Sequence, residues 1–309
     1  MRKAVFALLS IVFSAVFIIA GTFAAFAAEP IDTERLSSLS LQYKQGEKLY
    51  GGLEIKAYRI ADVFDDGTYA LCDDFSEYPV NIYGITTQTE WRRIASTLAA
   101  YAVADKIEPH FSAVTDEEGR VAFSGLVPGM YLTLSVRALG DEGIAVFESF
   151  VTAVPYPDES GHIYDVSAFP KCEEYIPAAG KTEHKVVKQW KDSGYTSKRP
   201  EFVTVDILKD GELFESVKLS EKNNWSYTWS AEDDGSVWQA VERDIPIDYT
   251  MTVVENQNTY IITNAVASNG EDAPQTGDTF VVWPYALGLA FSGGAVMIFA
   301  AARGKKERS

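Results

Sequence analysis

From about residue 36 to residue 267 the chain alternates short aromatic and β-branched runs with Gly, Asp and Asn. That punctuation predicts many short strands folded as β-sandwiches. Leu53-Glu54-Ile55-Lys56-Ala57-Tyr58 and residues 130–136 read as strands, and Asp65-Asp66-Gly67 reads as a turn between two of them. One stretch breaks the period. Thr87 and Glu90 have the spacing of a capping box, and Trp91, Ile94, Leu98 and Tyr101 follow at helical intervals. A single helix is expected there, with its apolar stripe packed on a sheet rather than binding a partner. Residues 173–182, which include Pro177-Ala178-Ala179-Gly180, carry no apolar period. They separate a first domain, 36–172, from a second, 183–267.

Alternation in the second domain singles out three polar side chains. Lys188 shares its parity with Val186 and Trp190, Glu242 with Trp238 and Ala240, and Asn264 with Ile262 and Val266. If those apolar neighbours face the core, a lysine, a glutamate and an asparagine face it too. Buried unpaired charge is costly, so the three groups should neutralise or meet. The alternative is that each caps a strand end at the surface.

The two ends of the chain are apolar in a different way. Arg2 and Lys3 precede an apolar stretch, residues 4–20, and Ala25-Phe26-Ala27 offers small residues for cleavage before Ala28, so 1–27 is expected to be a signal peptide. Residues 279–302 form an almost uncharged run followed by Arg303-Gly304-Lys305-Lys306-Glu307-Arg308. The run is long enough to cross a bilayer as a helix, with its basic tail held on the cytoplasmic side.

Immediately before that run stands Ala273-Pro274-Gln275-Thr276-Gly277. It resembles the Leu-Pro-x-Thr-Gly sorting signal of Gram-positive surface proteins, with Ala273 in place of Leu. The resemblance implies that residues 273–309 are a sorting segment. A sortase would cut between Thr276 and Gly277 and pass the Thr276 carbonyl to an amine of peptidoglycan or of another pilin subunit.

In the first domain, residues 115–123 followed by Gly125-Leu126-Val127-Pro128-Gly129-Met130-Tyr131-Leu132 resemble the Gly-Leu-x-x-Gly-x-Tyr signature of SpaA-like pilin domains. Phe169-Pro170-Lys171 is similar to the pilin motif Tyr-Pro-Lys, with Phe169 for Tyr and Cys172 where Asn is usual. By that resemblance Lys171 is the candidate amine for inter-pilin linkage. In the second domain, Lys188-Gln189-Trp190-Lys191-Asp192, Lys198-Arg199-Pro200, Asp210-Gly211, Asn223-Asn224-Trp225 and Tyr260-Ile261-Ile262-Thr263-Asn264 resemble a Cna B-type domain. That resemblance implies an intramolecular isopeptide bond between Lys188 and Asn264, with Glu242 as proton shuttle. No Asn lies near Phe169, so no such bond is expected in the first domain.

Cys72 and Cys172 are the only cysteines. In a secreted chain they are a disulfide candidate, and closing so long a loop is worth roughly 4–5 kcal/mol; free thiols are the alternative. The net charge of −17 becomes more acidic still without the two ends, which argues against nucleic acid or anionic lipid as a partner. His110, His162 and His184 show no metal-ligand spacing with the cysteines, so neither a metal nor another cofactor is implied, and no conventional enzyme site emerges.

The expected molecule is therefore all-β, with two immunoglobulin-like (Cna B or prealbumin-like) β-sandwich domains. The first carries one inserted α-helix, and a cleaved signal peptide and a transmembrane sorting segment flank the pair. Its expected role is a cell-wall-anchored minor or basal pilin, a sortase substrate rather than an enzyme. The rivals are a monomeric wall-anchored adhesin for a host or matrix ligand, and an inert spacer.

Overall fold

The computed structural model describes residues 30–158, 161–177 and 180–267. The expected signal peptide and the sorting segment with Thr276 and Gly277 lie outside them. Among the described residues no helix is long and apolar enough to cross a membrane.

The first domain contains β1 (Ser37–Gln42), β2 (Lys44–Gln45), β3 (Lys48–Leu49), β4 (Glu54–Val63), β5 (Tyr69–Leu71), α1 (Gln88–Ala104), β6 (Phe111–Val114) and β7 (Arg120–Leu126). It continues with β8 (Gly129–Thr133), β9 (Val136–Leu139), β10 (Ile144–Phe147), β11 (Phe150–Val154), β12 (Tyr156–Asp158), β13 (Gly161–Ile163), β14 (Asp165–Ala168) and β15 (Cys172–Tyr175). One sheet runs β14-β1-β7, a second runs β11-β8-β4-β5 with β6 also paired to β4, and a third runs β15-β10-β9. Strand alternation does what the sequence predicts: Leu39 and Leu41 on β1 are buried, with Ser40 between them partly exposed.

The second domain contains β16 (Lys181–Lys191), β17 (Phe202–Lys209), β18 (Glu212–Ser220), β19 (Ser226–Glu232), β20 (Trp238–Arg243), β21 (Tyr249–Asn256) and β22 (Thr259–Val266). Its sheets are β19-β16-β22-β21 and β18-β17-β20. In each domain the first long strand lies parallel to a late one. Leu39 on β1 stands opposite Val166 on β14, and Lys188 on β16 stands opposite Ile262 on β22.

The interval expected as a linker is shorter than 173–182. β15 extends to Tyr175 because Glu173 and Tyr175 pair with Val146 and Ile144 on β10, and β16 already starts at Lys181. The approach is tight: a Cβ on Gly143 would collide with the Tyr175 carbonyl.

The helix starts where its capping box predicts. Glu90 N donates to Thr87 Oγ1 and Thr87 N donates to Glu90 Oε2, both at 3.2 Å. Trp91, Ile94, Leu98 and Tyr101 are buried as expected. The helix has a second covered face, however. Thr97, Ala99 and Ala100 are also buried, because α1 packs on β8 and β11 of its own domain and on β20 and β21 of the other. Small side chains let those two strands, one from each sheet of the second domain, approach without adding to the apolar stripe.

Candidate functional site

β16 buries alternate residues, His184, Val186 and Lys188, so the parity that puts valine in the core puts the lysine there too. Glu242 ends the buried run of β20 in the facing sheet, and Asn264 follows Tyr260 and Ile262 inward on β22. Lys188 is 4% exposed, and Glu242 and Asn264 are 0% exposed. All three sequence-predicted groups meet. Lys188 Nζ lies 3.3 Å from Glu242 Oε2, and Asn264 Nδ2 donates to Glu242 Oε1 at 2.7 Å. Lys188 Nζ also donates to the Gln189 carbonyl at 3.2 Å and lies 4.1 Å from the centre of the Trp190 ring. Asn264 Oδ1 has no hydrogen-bond partner.

Burial dominates the electrostatics. It pushes the Lys188 ammonium down to about 8, against the opposing pull of Glu242. It pushes the Glu242 carboxyl up, against Lys188 and the Asn264 amide bond. Both shifts favour the neutral forms, because a dry core penalises either charge. A lysine and a glutamate whose neutral forms are brought within easier reach are thus enclosed with a carboxamide.

One end of this core is closed by residues whose role sequence reasoning left unassigned. Asp192 receives two bonds from Arg199, at 2.6 and 2.7 Å, and one from the Tyr249 hydroxyl at 3.1 Å. Trp190 packs edge-on against Tyr249 with ring centres 5.3 Å apart. Asp192 is only 3% exposed, and the Arg199 guanidinium holds its carboxyl below the usual range. The signal for it in the sequence is the pair of motifs Trp190-Lys191-Asp192 and Lys198-Arg199.

Among the described residues the first domain has no matching set. At the corresponding parallel pairing, Leu39 and Leu41 face Val166 and Ala168 in register. Lys171, between β14 and β15, makes ion pairs with Glu148 at 3.4 Å and with Glu173. Those carboxylates raise its pKa and hold the amine as an ammonium.

The disulfide candidate is corrected. Cys72 and Cys172 are both free. Cys72 follows β5 and receives a bond from Arg59 Nη1 at 3.6 Å, while Cys172 opens β15 opposite Phe147. Cys72 lies just past the β11-β8-β4-β5 sheet and Cys172 within the β15-β10-β9 sheet, which their linear spacing did not reveal. Burial pushes the two thiols up to about 12 and about 11. His184 stacks on Trp229 with ring centres 5.2 Å apart.

The second domain is thus a sandwich of two facing sheets with parallel first and last strands, enclosing a buried lysine, glutamate and asparagine. The Cna protein B-type domain family matches residues 184–265, so the chain carries a Cna B-type domain. Over 102 residues the chain is 28% identical to the collagen adhesin of Staphylococcus aureus, a match covering 32% of this chain and 8% of that protein. The chain thus spans only a small part of that relative's length. Among solved structures it is similar to a single B repeat unit of the collagen-binding surface protein of Staphylococcus aureus. That likeness has 18% identity and a TM-score of 0.27, and covers 76% of this chain and 100% of the other. It is also similar to the full-length major pilin SpaD from Corynebacterium diphtheriae, with 15% identity, a TM-score of 0.31, and 76% and 65% of the two chains covered.

Proposed function

We propose that this chain is a Gram-positive surface subunit of the pilin type, minor or basal in position. It is attached by sortase through Thr276, and its second domain is locked by an isopeptide bond between Lys188 and Asn264. The observation that carries the reading is the buried contact of Glu242 with both Lys188 and Asn264.

The chemistry follows from the neutral forms. The Lys188 amine lone pair attacks Asn264 Cγ. A half-turn of the Asn264 amide brings Oδ1 against the protonated Glu242, which then polarises the carbonyl. Nζ gives up one proton to the carboxyl group, and the carboxyl group delivers one to the departing nitrogen. A new Nζ–Cγ bond forms, the Cγ–Nδ2 bond breaks, and ammonia leaves. No oxidant or cofactor takes part; the chain acts on itself once and turns over no substrate.

Intact mass tests this directly. The folded chain should weigh one ammonia less than its sequence, and a tryptic map should join the peptide of Lys188 to that of Asn264. A full sequence mass in folded protein would remove the cross-link from the proposal.

A second reading is a monomeric wall-anchored adhesin. It is favoured by the Lys171 amine, which is paired with Glu148 and Glu173 instead of standing free, and by the similarity to a collagen adhesin. Detergent-boiled wall extracts separate the two readings: a high-mass ladder containing this chain supports the pilin, and a single anchored species supports the adhesin.

A further inference from the structure

β21 is an edge strand of its sheet, and Met251 on it stands opposite Asn264 on β22. An edge strand normally offers its outward N–H groups to water. Here the outward groups next to the reactive asparagine are taken by the first domain. Met251 N donates to the Pro79 carbonyl at 2.7 Å, and Val253 N donates to Thr97 Oγ1 on α1 at 2.9 Å.

The strand that carries Glu242 is held by the same domain. Arg243, the next residue, donates to Asp105 at the end of α1 at 2.6 Å and to Asp206 on β17 at 2.8 Å. Asp105 also accepts from the Tyr78 hydroxyl at 2.7 Å, and the Tyr78 ring stacks on Tyr101 with centres 4.1 Å apart. Tyr101 is 3% exposed, and its hydroxyl has no hydrogen-bond partner. It lines, with Asp105, Glu242, Arg243 and Tyr249, a cleft of about 410 Å³ between the domains. Burial pushes the Tyr101 phenol's pKa up, and the nearby Glu242 adds to that.

The geometry points to the first domain as the cover of the second domain's reactive core, with Tyr101 as a positioning residue that keeps water from Glu242 while the cross-link forms. This rests on the isopeptide reading above. Glu242 serves the reaction only as the protonated acid, and a water-filled seam would favour its carboxylate. Docking of α1 therefore precedes efficient bond formation, and the two domains mature in order: the first folds, the second docks against it, and the second then locks.

The test follows the fraction of newly synthesised full chain that has lost ammonia, sampled over time. Tyr101→Ala should slow the loss by about tenfold, the size of a one-unit shift in the acid, whereas Tyr101→Phe, which keeps the ring, should stay within about twofold of wild type. Thr97→Val combined with Asp105→Ala loosens the seam without touching Tyr101, and should slow the reaction while opening the Met251 and Val253 amides to hydrogen exchange. Lys106→Ala, on the exposed rim against Glu212, should change nothing. Wild-type rate in the double variant, with those two amides exchanging freely, overturns the inference and leaves the isopeptide reading standing. A wild-type chain that never loses ammonia overturns both.

Discussion

Asn264 and Glu242 are joined at 2.7 Å from one sheet of the sandwich to the other, and the second oxygen of Glu242 faces Lys188 at 3.3 Å. A single carboxyl group therefore touches both the amine and the amide that an isopeptide bond would unite. Neither of its neighbours lies next to it in sequence. The contact exists because three strands, each with period two, turn the same parity inward.

Loss of the acceptor should be costly. Asn264→Ala removes the carboxamide and leaves a chain of full mass with Lys188 and Glu242 still paired. A link from residue 188 to residue 264 closes a long loop, so the unlinked chain should lose roughly 4–5 kcal/mol against wild type, by the chain-entropy reasoning used for disulfides. Denaturant titration of the two proteins reads the difference. Equal midpoints would show that the second domain gains nothing from the link.

Cross-linking should depend on pH with a plateau and two falling limbs. Reaction needs one proton shared by the pair, on Glu242 with Lys188 neutral. On the acid side the pair gains a second proton, Lys188 becomes an ammonium, and the rate falls as pH drops below the raised Glu242 value. On the alkaline side, above about 8, the pair loses its last proton, Glu242 can no longer supply the leaving nitrogen, and the rate falls again. A rate that climbs steadily beyond pH 10 would mean that the amine alone limits the step and that Glu242 is a bystander.

Both thiols should be inert. With pKa values pushed up to about 12 and about 11, Cys72 and Cys172 hold almost no thiolate near neutral pH. Alkylation of native protein should be slow at both sites, and reducing agent should leave the unfolding midpoint where it was. A drop in stability on reduction would show that the cysteines pair after all.

Polymer linkage through Lys171 carries its own obstacle, since its amine must leave Glu148 and Glu173 and lose a proton before it can attack. Lys171→Arg keeps the charge without an effective nucleophile, so high-mass species containing this chain should disappear while anchoring persists. Thr276→Ala should do the reverse at the wall, leaving the protein in the membrane fraction. A ladder untouched by Lys171→Arg would direct attention to another lysine or to the adhesin reading.

Much of this was legible in the sequence because strand alternation is a local property. Lys188, Glu242 and Asn264 could each be placed inside from their neighbours, and the Thr87 and Glu90 box marked the helix start. Sheet membership is not local, which is why Cys72 and Cys172 could be considered partners although one follows β5 and the other opens β15 in a different sheet. The second face of α1 escaped for another reason: Thr97, Ala99 and Ala100 are too small to write an apolar stripe, yet their smallness is what admits β20 and β21. Tyr175 was read as linker since β15 is only four residues long and finds its partner, β10, earlier in the chain.

The parallel pairing of β16 with β22 determines how the second domain meets an external pull. In a parallel pair, the start of one strand and the end of the other lie at opposite ends, so force applied through Lys181 and Val266 slides the strands lengthwise past each other. Every hydrogen bond between them is then loaded in shear at once, instead of opening one at a time like a zipper. β1 and β14 repeat the arrangement in the first domain. A chain held between a wall and a distant load would meet that load with a whole ladder in the first domain and, once Lys188 is joined to Asn264, with that covalent bond in the second.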